Sequence, residues 1–549
     1  MANITFSRKI FEKEIGKLDE KMQEKISMFG TPLETFDDET IEIEVFANRP
    51  DLLSYQGFKR CFLAFLGKKP GLRKYETNKP EKDYRVIIDS STKDVRPYTA
   101  CAIVKGLKLD EEKIKEIIGI QEKLHLTMGR KRKKVAIGIY PLEKIKLPIT
   151  LKALEPDYIK FIPLESEKEM SGLQILQKHP AGKEYSHLLA GKSKFPVFVD
   201  ANNNILSMPP IINSQMTGKV TTETKDVFIE CSGFDFKTLK KCLNILVIVF
   251  ADMGGKIYQM ELKGAPEKIS PVLESEKMKI SLENTNKTLG INIDEKKIKT
   301  LLERMGHNYN PKTKEVEIGA WRSDILHEVD LIEDVAIGYG YGNLNPEIPK
   351  ISTIGKENSE EIIKRKISEI LTGLGLLEVS NYHLTNKESR FENMNVSEKQ
   401  EKDIIYLENS KTEYNLLRKD ISSFLLKNLS ENVDSEYPQK IFEIGTVFSL
   451  KQNIQEKENL AIAITPGNFT EIKQILNYLA KSLDLKIDFK ENDSPSNYLI
   501  EGRTTNILFE NKEIGIMGEV HPKILKNWKI KMPVAILEIN LEDIIKKLS

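Results

Sequence analysis

A multidomain α+β architecture is what this sequence predicts, and three observations carry the prediction. The chain has 549 residues, more than one hydrophobic core organises, because single cores stop growing beyond roughly 250–300 residues. Short runs with the two-residue period of a strand, VAIGIY at 135–140 and FPVFVD at 195–200, are interleaved with helical stretches near 111–125 and 236–253. Hydrophobic residues make up 40% and charged residues 30%, which supplies enough apolar surface for large cores and argues against extended disorder.

Lysine plus arginine number 83 against 82 aspartate plus glutamate, so a polyanionic partner has to be met by local basic patches and not by net charge. Cys61, Cys101, Cys231 and Cys242 are scattered, with neither a CxxC pair nor a zinc spacing, and this fits a reducing cytoplasm. The start, MANITFSRKIFEKEIG, lacks the apolar stretch of a signal peptide. The longest apolar run, 245–251, is too short to span a bilayer and stops at Asp252. A cytoplasmic protein is expected.

Along the chain, the first unit covers 1–85. It predicts a strand at 41–46, a turn at Pro50 and Asp51, and a helix in which Phe58, Phe62 and Phe65 recur every three or four positions until Gly67 stops it. The charged stretch 68–83, with Pro70 and Pro80, predicts a linker. From Arg85 to about Gly264 the strand and helix patterns mix in one α/β domain. Residues 278–347 predict a smaller unit around a helix capped by Asp294, with Ile298, Leu301, Leu302 and Met305 on one face and Gly306 at its end. The last unit begins near Asn358, which has capping-box spacing to Glu361 ahead of Ile362, Ile363, Ile367 and Ile370. Gly373 and Gly375 close that helix, and LLEVSNY at 376–382 follows as a strand.

Three stretches could carry chemistry. In WRSDILHEVDLIEDVAIGYGY, 321–341, Ile325, Val329, Ile332 and Ala336 form an apolar stripe. Asp330, Glu333 and Asp334 fall on adjacent turns of one face, with Asp324 near the helix start. Such carboxylates can hold magnesium, although spacing alone favours a solvated acidic face. Arg130, Lys131, Arg132, Lys133 and Lys134 sit between a helix and the strand VAIGIY, and they suit phosphate contact about as well as a solvated loop. Between 195 and 235, Ser207, Asn213, Ser214, Thr217, Glu230 and Ser232 surround an apolar wall of Met208, Pro209 and Pro210, with His179 and His187 as candidate neighbours. A pocket there could orient an ester and a water, while composition favours a plain loop. No Ser-His-Asp order indicates nucleophilic catalysis.

Four of these segments in series, NRPDLL at 48–53, GRKRKKVAIGIY at 129–140, ILSMPPIINS at 205–214 and RSDILHEVDLIEDVAIGYGY at 322–341, resemble the beta subunit family of phenylalanyl-tRNA synthetases of the archaeal and eukaryotic type. The resemblance runs over nearly the whole chain. It implies an N-terminal domain at 1–85, a B3/B4 editing domain at 86–270, a winged-helix-like B5 domain at 271–350, and at 355–549 a catalytically inactive class II synthetase-like domain with an antiparallel sheet. It also implies Mg2+ on Asp324, Asp330, Glu333 and Asp334, and an editing pocket lined by Phe198, Ser207, Glu230 and Ser232 that discriminates tyrosine by its hydroxyl. Some relatives carry Asp and Thr in place of Glu230 and Ser232, which bears on the strength of editing. Arg130, Lys131 and Arg132 become tRNA contacts.

The implied function is ligation of phenylalanine to tRNA(Phe), with ATP handled by an alpha subunit in an alpha2 beta2 tetramer, and hydrolysis of mischarged tyrosyl-tRNA(Phe). Activation needs arginines that clamp the ATP phosphates. After residue 355 the arginines are Arg365, Arg390, Arg418 and Arg503, and GIMGEVHP at 515–522 stands where an active class II enzyme would show a glycine-rich strand ending in arginine. No catalytic residue for activation is therefore expected in this chain.

Overall fold

The helix Tyr55–Phe65 explains much of the first architecture. Ser54 caps it by accepting from the Gly57 amide. Phe58, Phe62 and Phe65 then pack with Phe6, Phe11 and Phe29 at ring separations of 5.0–6.5 Å. These rings lie beneath an antiparallel sheet of Ala2–Ser7, Thr40–Val45 and Leu33–Phe36, with Thr40–Val45 in the middle. Every residue of the helix except Lys59 is buried, and a helix buried all round has to be covered on both sides.

The computed structural model describes residues 2–348, 354–492 and 497–549, and the chain divides into two compact units, 1–348 and 349–549. Within the first unit one continuous core runs from Ile4 through the 55–65 helix to Trp321. The expected boundary at 85 therefore does not separate two cores. The expected linker at 68–83 is also structured: Thr77–Asn78 pairs in parallel with Lys256–Tyr258, and the Leu72 amide donates to Asn308 Oδ1 at 3.0 Å. Proline and charge content concealed these backbone partners.

Two sheets form the centre. One has five strands, with Val227–Gly233 between Tyr98–Lys105 and Val135–Pro141; the other has seven, with Phe195–Val199 between Ile149–Leu154 and Ile205–Met208. The helix Phe236–Asp252, capped by Asp235, packs on the five-stranded sheet and is buried without interruption from Cys242 to Phe250. Next comes a module of three helices, Leu282–Leu289, Glu295–Arg304 and Glu328–Tyr339, with a small antiparallel sheet in which Glu315–Ile318 is central. Asp294 caps its middle helix, whose Ile298, Leu301 and Leu302 are buried. The third helix starts at Glu328, later than its apolar stripe suggested. Val329 is 50% exposed, while Leu331, Ile332, Val335 and Ala336 make the buried face.

The second unit is built on a seven-stranded sheet in the order Leu377–Glu378, Gln439–Leu450, Ile454–Thr465, Ala535–Asn540, Lys512–Val520, Leu499–Phe509 and Ile487–Glu491. All neighbours are antiparallel except the first pair. Alternation sorts its side chains: Leu460, Ile462 and Ile464 enter one core, Ala461 and Ala463 the other. Helices Ser359–Gly373 and Phe469–Ser482 cover the first face, Ser422–Glu431 and Pro522–Asn527 the second. Asn358 caps the first of these helices through the Glu360 amide, and the strand expected over 376–382 is confined to Leu377–Glu378. Among the described residues no helix is long and apolar enough to cross a membrane.

Candidate functional site

Glu230 lies in the middle of the strand Val227–Gly233, paired with Cys101 on one side and Gly138 on the other. A Cβ at position 138 would stand 2.6 Å from Glu230 Oε1 and 2.2 Å from the Tyr140 hydroxyl oxygen, so glycine is what lets both side chains seat there. The Tyr140 hydroxyl donates to Ser207 Oγ at 2.8 Å, with Asn213 Oδ1 and Glu230 Oε1 each at 3.4 Å. Strands of both central sheets thus converge on one buried polar group. Burial pushes the Glu230 carboxyl up to about 8, against the pull of Arg96, Ser232 and Tyr140. Its Oε2 has no hydrogen-bond partner among the described residues.

Ser232, two residues along the same strand, is held by Arg96, whose Nε donates to Ser232 Oγ at 3.0 Å and Nη2 to the Ser232 carbonyl at 2.6 Å. Burial lowers the Arg96 guanidinium to about 10, with Glu230 opposing. Phe198 pairs directly opposite Ser207 and is fully buried. The structure therefore brings Ser207, Asn213 and Glu230 together and places Phe198 and Ser232 beside them. Ser214 accepts from the Met216 amide and Thr217 bonds the Leu206 carbonyl, which are loop-holding roles. His179 caps the helix Pro180–Tyr185 and His187 bonds the Glu184 carbonyl; neither bonds this polar group. Sequence reasoning missed Tyr140 and Arg96. Gly138, a glycine inside a strand pattern, was the available sign of a close approach.

The basic connection differs from expectation at one residue. Arg130, Lys131 and Arg132 all have left-handed backbones, with φ of 46°, 54° and 64°, and of the three Arg132 alone is turned inward. It donates to the Ile211 carbonyl at 2.8 Å, pairs with Glu122 at 3.1 Å and lies 4.4 Å over the Tyr185 ring. Arg132 is thus a bracing residue, and Arg130, Lys131, Lys133 and Lys134 form the exposed patch. The hydrogen bond from His125, helped by Arg132, lowers Glu122 to about 2.

The four expected magnesium ligands do not share one face. Arg322 binds Asp324 through Nε at 2.8 Å and Nη2 at 2.7 Å, and the same Nη2 reaches Asp334 at 2.9 Å; His307 adds a 2.7 Å contact to Asp334. Burial opposes ionisation of Asp334, yet Arg322 and His307 hold its carboxyl well below the usual range. Asp330 Oδ2 accepts the Leu326 and His327 amides at 2.7 Å each and so closes the helix start. Glu333 is exposed, and its carboxyl is raised first by partial burial and then by the charges of Asp334, Asp330 and Asp324. No three His, Cys, Asp or Glu side chains among the described residues stand together as a ready ligand set.

In the second unit every arginine already has an acidic partner: Arg365 with Glu357, Arg390 with Glu401 and Asp420, Arg418 with Glu443, and Arg503 with Glu519.

Comparison with known proteins fits this layout. Residues 278–341 match the tRNA synthetase B5 domain and residues 344–541 match the phenylalanyl tRNA synthetase beta chain CLM domain. The phenylalanine–tRNA ligase beta subunit of Thermococcus sibiricus is 40% identical over 509 residues, which is 91% of this chain and 90% of that protein. The chain belongs to the phenylalanine–tRNA ligase beta-subunit family. The beta subunit of Archaeoglobus fulgidus is 36% identical over 536 residues and 96% of each chain. A crystal structure of an N-terminal fragment of the Pyrococcus horikoshii beta subunit matches with a TM-score of 0.59 at 37% identity, covering 62% of this chain and 99% of that fragment. As a phenylalanine–tRNA ligase beta subunit, the chain is a ligase component with a role in phenylalanyl-tRNA synthesis, and a beta subunit implies an alpha partner.

Proposed function

We propose that this beta subunit does not activate the amino acid, that it supports ATP-dependent attachment of phenylalanine to tRNA(Phe) by an alpha subunit in a cytoplasmic alpha2 beta2 tetramer, and that it hydrolyses mischarged tyrosyl-tRNA(Phe). The first part is supported by the C-terminal unit, proposed as a class II-like fold, whose arginines are all engaged with carboxylates of that unit. A triphosphate would meet no free guanidinium clamp there.

The editing assignment rests on one observation: Ser207, Asn213 and Glu230 already receive a tyrosine hydroxyl, that of Tyr140. Tyr140 satisfies Ser207, Asn213 and Glu230 Oε1, so the atom left to read a substrate hydroxyl is Glu230 Oε2, which a phenylalanine ring would leave unpaired. Glu230, with its carboxyl near neutrality and Oε2 unpartnered among the described residues, is suited to pair with a substrate hydroxyl in either direction. With no nucleophile–base pair in this group, water is the attacking species and the ester bond to the tRNA ribose is the one broken. In the assembled tetramer, Glu230→Ala and Ser207→Ala are expected to slow deacylation of tyrosyl-tRNA(Phe) by about 10–100-fold while phenylalanine charging persists. Unchanged deacylation in both variants would remove the assignment.

Magnesium fits in part. Asp324 and Asp334 are committed to Arg322, which leaves Asp330 Oδ1 and Glu333 to hold the ion, and Mg2+ needs only one or two carboxylates when waters complete its coordination. The ion would supply positive charge beside the third helix of the B5 domain. Titrating Mg2+ against Glu333→Ala should show at least a tenfold loss of affinity, roughly, and equal affinity would exclude Glu333. The exposed Arg130 and Lys131 are proposed to contact tRNA phosphates.

A further inference from the structure

A cavity of about 550 Å3 opens in the first unit, away from the Glu230 group, between the 55–65 helix, the 69–73 segment, the end of the 236–252 helix and the B5 module. Lys59, Arg60, Lys69, Arg73, Asp252 and Trp321 line it. Arg60 is the central group. Its side chain is 5% exposed, Nη1 pairs with Asp252 at 2.6 Å, and the guanidinium lies 5.1 Å over the Trp321 ring. Arg60 Nε and Nη2 have no hydrogen-bond partner among the described residues.

The charges around this cavity do not cancel. Asp252 is shared by Arg60, by Arg73 at 2.9 Å and by the Tyr75 hydroxyl at 2.7 Å, so one carboxylate faces two guanidiniums. Lys59 is matched by Glu14 at 3.1 Å, and Arg322, also on the wall, is matched by Asp324 and Asp334. Lys69 is exposed and makes no ion pair among the described residues. Arg60, Arg73, Lys59, Lys69 and Arg322 thus face Asp252, Glu14, Asp324 and Asp334, which leaves one positive charge uncompensated. That excess lies at the rim, on the exposed Lys69 and Arg73, beside a buried guanidinium with two unpartnered donors, and such a grouping attracts an anion.

The walls are fixed in place. The Gly71 amide donates to the Glu303 carbonyl at 2.7 Å, the Leu72 amide to Asn308 Oδ1, and Arg304 Nε to the Phe65 carbonyl at 2.8 Å. The donors are therefore held before any ligand arrives, as a forked phosphate contact requires.

We propose that this cavity is a phosphate-binding site, in which Arg60, Arg73 and Lys69 receive a phosphate group carried by a small phosphate ester or by an RNA backbone. The test titrates the full chain with inorganic phosphate by calorimetry. Saturable one-to-one binding is expected, weakened about tenfold or more by Lys69→Gln with Arg73→Gln; both residues are on the rim, so the fold survives the change. Arg60→Lys keeps the charge and removes the fork, and is expected to weaken binding as well. Absence of saturable binding to the wild-type chain, or equal binding by the rim variant, overturns the proposal. Competition separates the two sources: phosphate that displaces tRNA identifies a backbone phosphate, and phosphate that binds without affecting tRNA identifies a small ester.

Discussion

At the scale of single residues, Glu230 is the group whose behaviour the fold changes most usefully. Its carboxyl titrates near 8 in the native state against 4.5 as a free side chain. Between those values the native state holds a proton that the unfolded state has released, so stability falls as pH rises through the window and stays low above it. Glu230→Gln keeps the shape and removes the ionisation. Relative to the wild type, it should gain stability on the order of a few kcal/mol on going from about pH 5 to about pH 8.5, measured as the shift in denaturant midpoint at each pH. A constant difference between the two chains would mean that Glu230 ionises normally. Which residues would matter was legible unevenly. Ser207 and Glu230 were visible as polar residues in a strand-flanked region, whereas Tyr140 looked like one more aromatic in an apolar strand. Its partners are 67 and 90 residues away, and no local pattern encodes such distances.

At the scale of elements, periodicity predicted what short-range physics controls. The helices Glu111–Leu126 and Glu295–Arg304 and the strands Val135–Pro141 and Phe195–Val199 lie where apolar spacing placed them. The helix at 321–341 started late because Asp324 is drawn to Arg322 and Asp330 turns back to close the helix start, competition that a helical wheel does not contain. The same limit applies to the basic connection, where five adjacent cations look alike in sequence and only contacts to Ile211, Glu122 and Tyr185, distant along the chain, separate Arg132 from the others. This gives a contrast to measure. Replacing Arg130 and Lys131 with Gln should reduce the salt slope of tRNA binding by about two and leave stability unchanged. Arg132→Gln should leave the slope unchanged and cost about 1–2 kcal/mol, because it leaves the buried Ile211 carbonyl short of a donor. Equal slopes for all variants would make the patch a solvated loop.

At the scale of the whole molecule, the second unit carries a large sheet covered on both faces and guanidiniums that are all occupied. The purified chain alone should give no ATP-dependent pyrophosphate exchange with phenylalanine, and addition of the alpha subunit should restore it. Exchange by the chain alone would mean that a phosphate clamp exists outside these arginines. The continuous core from Ile4 to Trp321 has a different consequence. Cutting the chain at residue 85 would strip the cover from a helix that has no solvent side, so the N-terminal segment cannot be transplanted, deleted or expressed as an independent module.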